Sequence, residues 1–205
     1  MDADAGADPA AALRTDPTMA ALVDHFGPRP VEPADDGFRR LVVTVVNQSV
    51  STAAARAVRE RLFDAVDEVT PESVLAADRE ALADAGLGER KAEYVQNAAR
   101  AWRDGDVSRA ALADAPAEEV RERVTGVRGL GDWSADMYRL FVLGREDVFP
   151  VGDLAVRRAM TDLYGYADDE RDAMVEHAER WRPRRSHATR YLWAYYEADE
   201  RPSVP

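Results

Sequence analysis

Cysteine is absent from this 205-residue chain. Its absence removes disulfide frameworks, thiolate zinc sites, cysteine nucleophiles and iron–sulfur clusters together. Lysine occurs once, as Lys91, so any chemistry that needs a Schiff-base lysine has a single candidate. Histidine is almost as scarce, and His25, His177 and His187 are too far apart for a helical i, i+4 ligand pair. Metal catalysis built on His and Cys therefore does not fit, and no zinc is expected. Long apolar runs are missing too. The longest, near Leu41 to Val46, is a fraction of the roughly 20 residues that a membrane span requires. Residues 1–20 lack both a basic start and an apolar stretch, so no secretory signal is expected and a cytoplasmic protein is the expectation.

What the chain does have is acid. Asp and Glu number 39 against 27 basic residues, for a net charge of −12. Such an excess keeps a protein hydrated in concentrated salt, and a biased genome composition produces the same pattern. The charge is unevenly spread, with eight acids and two bases before Phe38. Between residues 180 and 196 the sign reverses. Arg180, Arg182, Arg184, Arg185 and Arg190 alternate with Trp181, Tyr191, Trp193, Tyr195 and Tyr196, and no acid intervenes. A terminal amphipathic helix with aromatic core and solvated arginines accounts for this segment, and so does a nucleic-acid contact.

Helical signals run along almost the whole chain. Residues 1–15 read as a disordered acidic tail, 16–197 as one domain, and 198–205 as a second tail. Thr70-Pro71-Glu72 reads as the start of a helix, and Asp78, Ser108 and Pro116 open others. From Glu89 to Arg103 a stripe of Ala92, Tyr94, Val95, Ala98, Ala99 and Trp102 has helical spacing. Leu41 to Val46 is β-branched enough for a strand, yet Phe38, Leu41, Val42 and Val45 also form one helical face. With no hairpin signal after it, the segment reads as a buried helix and the protein as all-α.

The informative stretch lies between Val124 and Arg158. Val127-Arg128-Gly129-Leu130-Gly131 joins two helices, and a Gly-x-Gly turn permits positive φ and close backbone approach. The helix that follows, from Trp133, presents free N–H groups and a positive dipole end to an anion. Further on, Asp153 stands at the N-cap of the next helix, a position that needs no function beyond capping.

Together these motifs resemble the helix-hairpin-helix DNA glycosylase superfamily with its Gly/Pro-rich loop and aspartate, in its DNA-3-methyladenine glycosylase branch of the AlkA type. The resemblance is carried by VRGLGDWSADMYRLFVLGREDVFPVGDLAVRR (127–158), VVNQSVSTAAA (45–55), GLGERKAEYVQNAARA (86–101) and WRPRRSHATRYLW (181–193). It implies two interlocked helical subdomains with the hairpin at 120–144 and an active-site cleft between them. Asp153 falls on the catalytic aspartate. Trp133 and Trp193 fall on the walls of the base pocket, and Met137 stands where the bacterial enzyme has a tyrosine.

By the same resemblance, backbone amides of Gly129, Gly131 and Ser134 would hold a DNA phosphate. Carbonyls of Thr125, Val127 and Gly129 would hold a monovalent cation, Na+ or K+. Gln48 and Ser49 lie in the loop that enters the DNA, Ser49 at the place of a leucine wedge. The oxidised-base lyases of the superfamily carry a lysine where this chain has Trp133, so a monofunctional enzyme that hydrolyses the N-glycosidic bond of alkylated purines is implied. The expected partner is double-stranded DNA, with no membrane, and the expected state is a monomer. Two alternatives stay open: a non-catalytic helix-hairpin-helix module, and a glycosylase for another damaged base.

Overall fold

A computed structural model describes residues 10–49, 52–66 and 68–205. Among them the secondary structure is helical and no strand forms. In chain order the α-helices are α1 (Pro17–Phe26), α2 (Gly37–Asn47), α3 (Thr52–Ala65), α4 (Pro71–Ala76), α5 (Arg79–Leu82) and α6 (Gly88–Arg103). There follow α7 (Arg109–Leu112), α8 (Ala117–Thr125), α9 (Asp132–Met137), α10 (Leu154–Tyr164), α11 (Arg171–Ala178) and α12 (Arg185–Glu197). They fall into two units, Pro33–Gly144 and a discontinuous one joining residues 10–32 to Arg145–Pro205.

The ambiguous apolar segment is α2. Asp36 caps it through Arg39 N–H (2.9 Å), and Phe38, Leu41, Val42, Val45 and Val46 are buried along it. The stripe on α6 packs against that face, with Ala92, Val95, Ala98 and Ala99 fully enclosed. Each buried leucine or valine contributes about 1.5–3 kcal/mol relative to exposure. Tyr138, also fully buried, donates its hydroxyl to Val107 O at 2.8 Å, and burial pushes its phenol pKa well up. Lys91 donates Nζ to Val46 O at 2.7 Å, so the one lysine fastens the C-terminal end of α2. Burial and the neighbouring Arg90 lower its pKa.

The discontinuous unit closes around Leu13, Met19, Leu22, Val156, Met160, Met174, Trp181, Tyr191 and Leu192. Here the structure corrects the sequence reading of a disordered tail over residues 1–15. Ala12–Thr15 forms a 3-10 turn, and Leu13 is wholly buried. An Ala- and Asp-rich composition hides a single leucine that anchors the segment; residues 1–9 lie outside the described part. Asp16 is the polar centre of this core. Its Oδ1 caps α1 through Thr18 and Met19 N–H, while Oδ2 accepts from Trp181 Nε1 (3.1 Å) and Tyr164 OH (3.0 Å). Burial alone would raise this carboxyl, but His177, the Met19 amide, Trp181 and Tyr164 hold it at about 2.

Candidate functional site

The turn between α8 and α9 has the geometry its glycines require. Gly129 adopts φ +104°, and a Cβ there would stand 2.2 Å from Tyr94 Cγ. Only glycine combines that backbone with that proximity. Helix α6 braces the turn from below: Asn97 Nδ2 donates to Arg128 O (3.2 Å), and Glu93 pairs with Arg128 at 2.7 Å. Tyr94 and Asn97 were not singled out from the sequence, although Tyr94 belongs to the apolar stripe already noted. Gly131 is the N-cap of α9, extended at φ −107° and exposed, with open space where a Cβ would be. No side chain caps this helix.

Gln48 closes the turn from another direction. Its Nε2 donates to Gly129 O at 2.8 Å and to Ser134 Oγ at 3.1 Å, so three of the residues named from the sequence converge. Ser134 is buried and Gln48 half-buried. Gln48 therefore holds the hairpin, and Ser49 beside it is exposed, a non-glycine residue at φ +56°. Residues 50 and 51 lie outside the described part. Trp133 and Met137, four apart on α9, share one face of it, Trp133 half-buried and Met137 buried. Of the three carbonyls named for a cation, Gly129 O accepts from Gln48 and Val127 O accepts from Leu130 N (3.0 Å). Among the described residues no group of His, Cys, Asp and Glu has the arrangement of a metal site, and no helix is long and apolar enough to cross a membrane.

In the discontinuous unit, Asp153 is the N-cap of α10. Its Oδ1 accepts from Ala155 N (3.0 Å), Val156 N (3.1 Å) and Trp193 Nε1 (3.0 Å). The loop before it is held from inside. Arg157, buried, donates Nη1 to Val151 O (3.2 Å) and Gly152 O (2.8 Å), and Nε to Asp168 (3.2 Å). Leu154, next to Asp153, is half exposed.

The arginine-rich segment is less available than its composition suggests. Arg182 and Arg185 both pair with Asp147 and Glu179, and Arg184 pairs with Glu146. The acids that neutralise it come mostly from positions 146 and 147, too distant in sequence to be read beside it. Trp181, Tyr191 and Tyr195 are core, as the amphipathic-helix reading expected. Arg190 differs: it is half-buried, and burial together with Arg29 lowers its pKa.

Known proteins resemble this chain in sequence and, where solved, in fold. A Bacillus subtilis protein described as putative DNA-3-methyladenine glycosylase YfjP is 24% identical over 189 residues, covering 88% of this chain and 66% of its own length. The Schizosaccharomyces pombe 3-methyladenine DNA glycosylase Mag1, solved in complex with abasic DNA, superposes with a TM-score of 0.85 at 25% identity, over 94% of this chain and 98% of that one. A DNA-3-methyladenine glycosidase from Bacillus halodurans gives a TM-score of 0.77 at 28% identity, over 96% and 92% of the two chains. Residues 42–183 match the HhH-GPD superfamily of base excision DNA repair proteins, and the chain belongs to that superfamily.

Proposed function

We propose that this protein is a monofunctional DNA-3-methyladenine glycosylase, acting as a cytoplasmic monomer on duplex DNA that carries alkylated purines. The observation that carries the reading is Asp153, a carboxylate fixed at a helix N-cap with an indole N–H on its Oδ1. Breaking an N-glycosidic bond develops positive charge on the deoxyribose, and an oriented carboxylate stabilises that charge and can position a water. A methylated purine is cationic within the nucleotide and leaves readily, so a strong general acid is not required.

The base must first leave the duplex. Gly129, Gly131 and Ser134 are the proposed phosphate contacts, in a turn whose shape Gln48 and Tyr94 support. Ser49, exposed beside Gln48, is a further proposed DNA contact. Trp133, Met137 and Trp193 are the proposed walls for the extruded base, indole faces attracting a cationic purine by about 0.5–2 kcal/mol. Carbonyl oxygens are hard donors, and each carries two lone pairs. The carbonyls of Thr125, Val127 and Gly129 are the proposed ligands of a Na+ or K+ ion, which would add positive charge beside the phosphate. Lys91 is engaged with Val46 O, which supports hydrolysis and not a lysine-mediated lyase.

The test is release of free base from methylated duplex, followed by mass analysis, for wild type and Asp153→Asn. Asparagine caps helices about as well as aspartate. Wild type should liberate methylated purine and leave no borohydride-trapped adduct, while the variant, folded and DNA-bound, should be slower by about 10²–10³. Duplex binding without release would favour the non-catalytic module, and near-normal release by the variant would exclude Asp153.

A further inference from the structure

Asp36 and Asp153 both cap helices, but Asp153 also has a donor from outside its own helix. Asp36 receives one backbone N–H from its own helix, and that suffices for a cap. Asp153 receives two from α10 and a third from Trp193, 40 residues away on α12. All three arrive at Oδ1. The third donor adds nothing to helix termination, because it comes from α12 and the cap is already made by the Ala155 and Val156 amides.

Its effect is on the carboxylate. Rotation about the Cβ–Cγ bond of an aspartate is broad and roughly two-fold. Two of the donors come from the cap's own helix, whereas the indole N–H comes from a separate helix and adds an independent constraint on the carboxylate. That donor sits on a rigid base. Val156, Met160 and Leu163 of α10 share a core with Ala188, Tyr191, Leu192 and Tyr195 of α12, and Trp193 packs against the same cluster. An indole N–H is an uncharged donor, so it adds orientation without adding positive charge of its own.

We propose that Trp193 is a positioning residue for Asp153, its indole N–H holding the carboxylate in the plane from which it faces the reacting sugar, in addition to any contact its ring makes with the base. The proposal rests on Asp153 as the carboxylate of base release. It separates two properties of one side chain that the pocket-wall role does not distinguish, the N–H and the ring face.

The experiment replaces Trp193 with 3-benzothienylalanine, which keeps the bicyclic shape and substitutes sulfur for the N–H. Trp193→Phe is the genetically encoded companion. Single-turnover base release and affinity for abasic duplex are measured in the wild-type and Asp153→Asn backgrounds, with thermal midpoints to confirm folding. In the wild-type background both replacements should slow release about 10- to 30-fold, with affinity within about twofold, as expected when an oriented electrostatic group is loosened but not removed. In the Asp153→Asn background the benzothienyl replacement, which keeps the ring, should have little further effect, because the charge being oriented is gone. Release by the benzothienyl variant at the wild-type rate would overturn the proposal, and so would an equal loss in both backgrounds. If wild type itself releases no methylated purine, the glycosylase reading fails and this proposal fails with it. Wild-type release that is lost in Asp153→Asn but kept in the benzothienyl variant refutes this proposal alone.

Discussion

The two glycines of the hairpin make opposite demands, and substituting them separates folding from DNA anchoring. At Gly131 the backbone is extended (φ −107°, ψ −171°) and a Cβ meets nothing within 4 Å. Gly131→Asp is therefore compatible with the fold. As the N-cap of α9 it should even add a few tenths of a kcal/mol, the usual difference between Asp and Gly at that position. The same carboxylate, however, would occupy first-turn N–H groups and place a negative charge where a phosphate is to bind. Two unit charges 4 Å apart interact by about 1–4 kcal/mol at effective dielectrics of 80 to 20. Affinity should accordingly fall by about 10- to 100-fold. Losing one phosphate contact should also reduce the slope of log K against log salt by about 0.9.

At Gly129 the prediction inverts. Alanine would have to adopt φ +104° with its Cβ 2.2 Å from Tyr94 Cγ and 2.7 Å from Tyr94 Cβ, so the ring or the turn must move. Gly129→Ala should cost about 3 kcal/mol or more. For a chain of this size that is a drop in Tm of roughly 6–12 °C. Thermal melts and anisotropy with abasic duplex between 50 and 200 mM salt measure both effects, with Gly131→Asn as a neutral cap of the same size. A stable Gly131→Asp protein with unchanged affinity and salt slope would refute the hairpin as the phosphate anchor. A Gly129→Ala protein that melts like wild type would refute the requirement for glycine.

Two further predictions concern pH. Burial pushes Asp136 up to about 6, against Arg139 at 3.3 Å and with repulsion from Asp132 acting in the same direction as burial. The folded state thus holds the proton more tightly than the unfolded chain, and stability should rise as pH falls from about 6 to about 4, by at most about 3 kcal/mol. Asp136→Asn should raise Tm at pH 7.5, by the equivalent of about 1–2 kcal/mol after the lost Arg139 pair is allowed for, and change it little at pH 4.5. A lower Tm at both values would contradict this. Asp16 has the opposite sign. Held at about 2, below its unfolded value of 3.8, it contributes about 2 kcal/mol that is complete above about pH 4 and disappears as pH falls through 2. Wild type should lose that increment on acidification, and Asp16→Asn, destabilised at neutral pH, should show no corresponding loss.

Local signals were well preserved in the sequence. The N-caps at Thr70, Ser108 and Asp153 could be read because a cap is decided within four residues. Leu41–Val46 was ambiguous by composition, and burial along a 3.6-residue period settled it as helix, tertiary packing overriding β propensity. Contacts between distant segments were not legible. Gln48 reaches Gly129 across 81 residues, and its role as a hairpin brace has no local signature. The same holds for the pairing of Arg184 and Arg185 with Glu146 and Asp147, which removes the expectation of a freely basic segment. It holds also for Leu13, whose burial depends on a core assembled from both ends of the chain.

The discontinuous unit contains an internal comparison that bears on function. Asp16 and Asp153 each cap a helix through Oδ1, and each receives an indole N–H, from Trp181 and Trp193 respectively. The local chemistry is nearly the same, yet the surroundings of the two carboxylates differ. Asp16 is 6% exposed, and its donors are spread over both oxygens: amides on Oδ1, Trp181 and Tyr164 on Oδ2, with His177 at 3.7 Å. Such a group is enclosed by neighbours that a sugar could not displace, and it serves as a structural anchor. Asp153 is half-buried, follows a loop pinned by Arg157, and takes the amide and indole donors at one oxygen. A motif of aspartate at an N-cap with a tryptophan nearby would not tell them apart. What separates them is access, and it is access and not the cap that makes Asp153 the candidate for the reactive carboxylate.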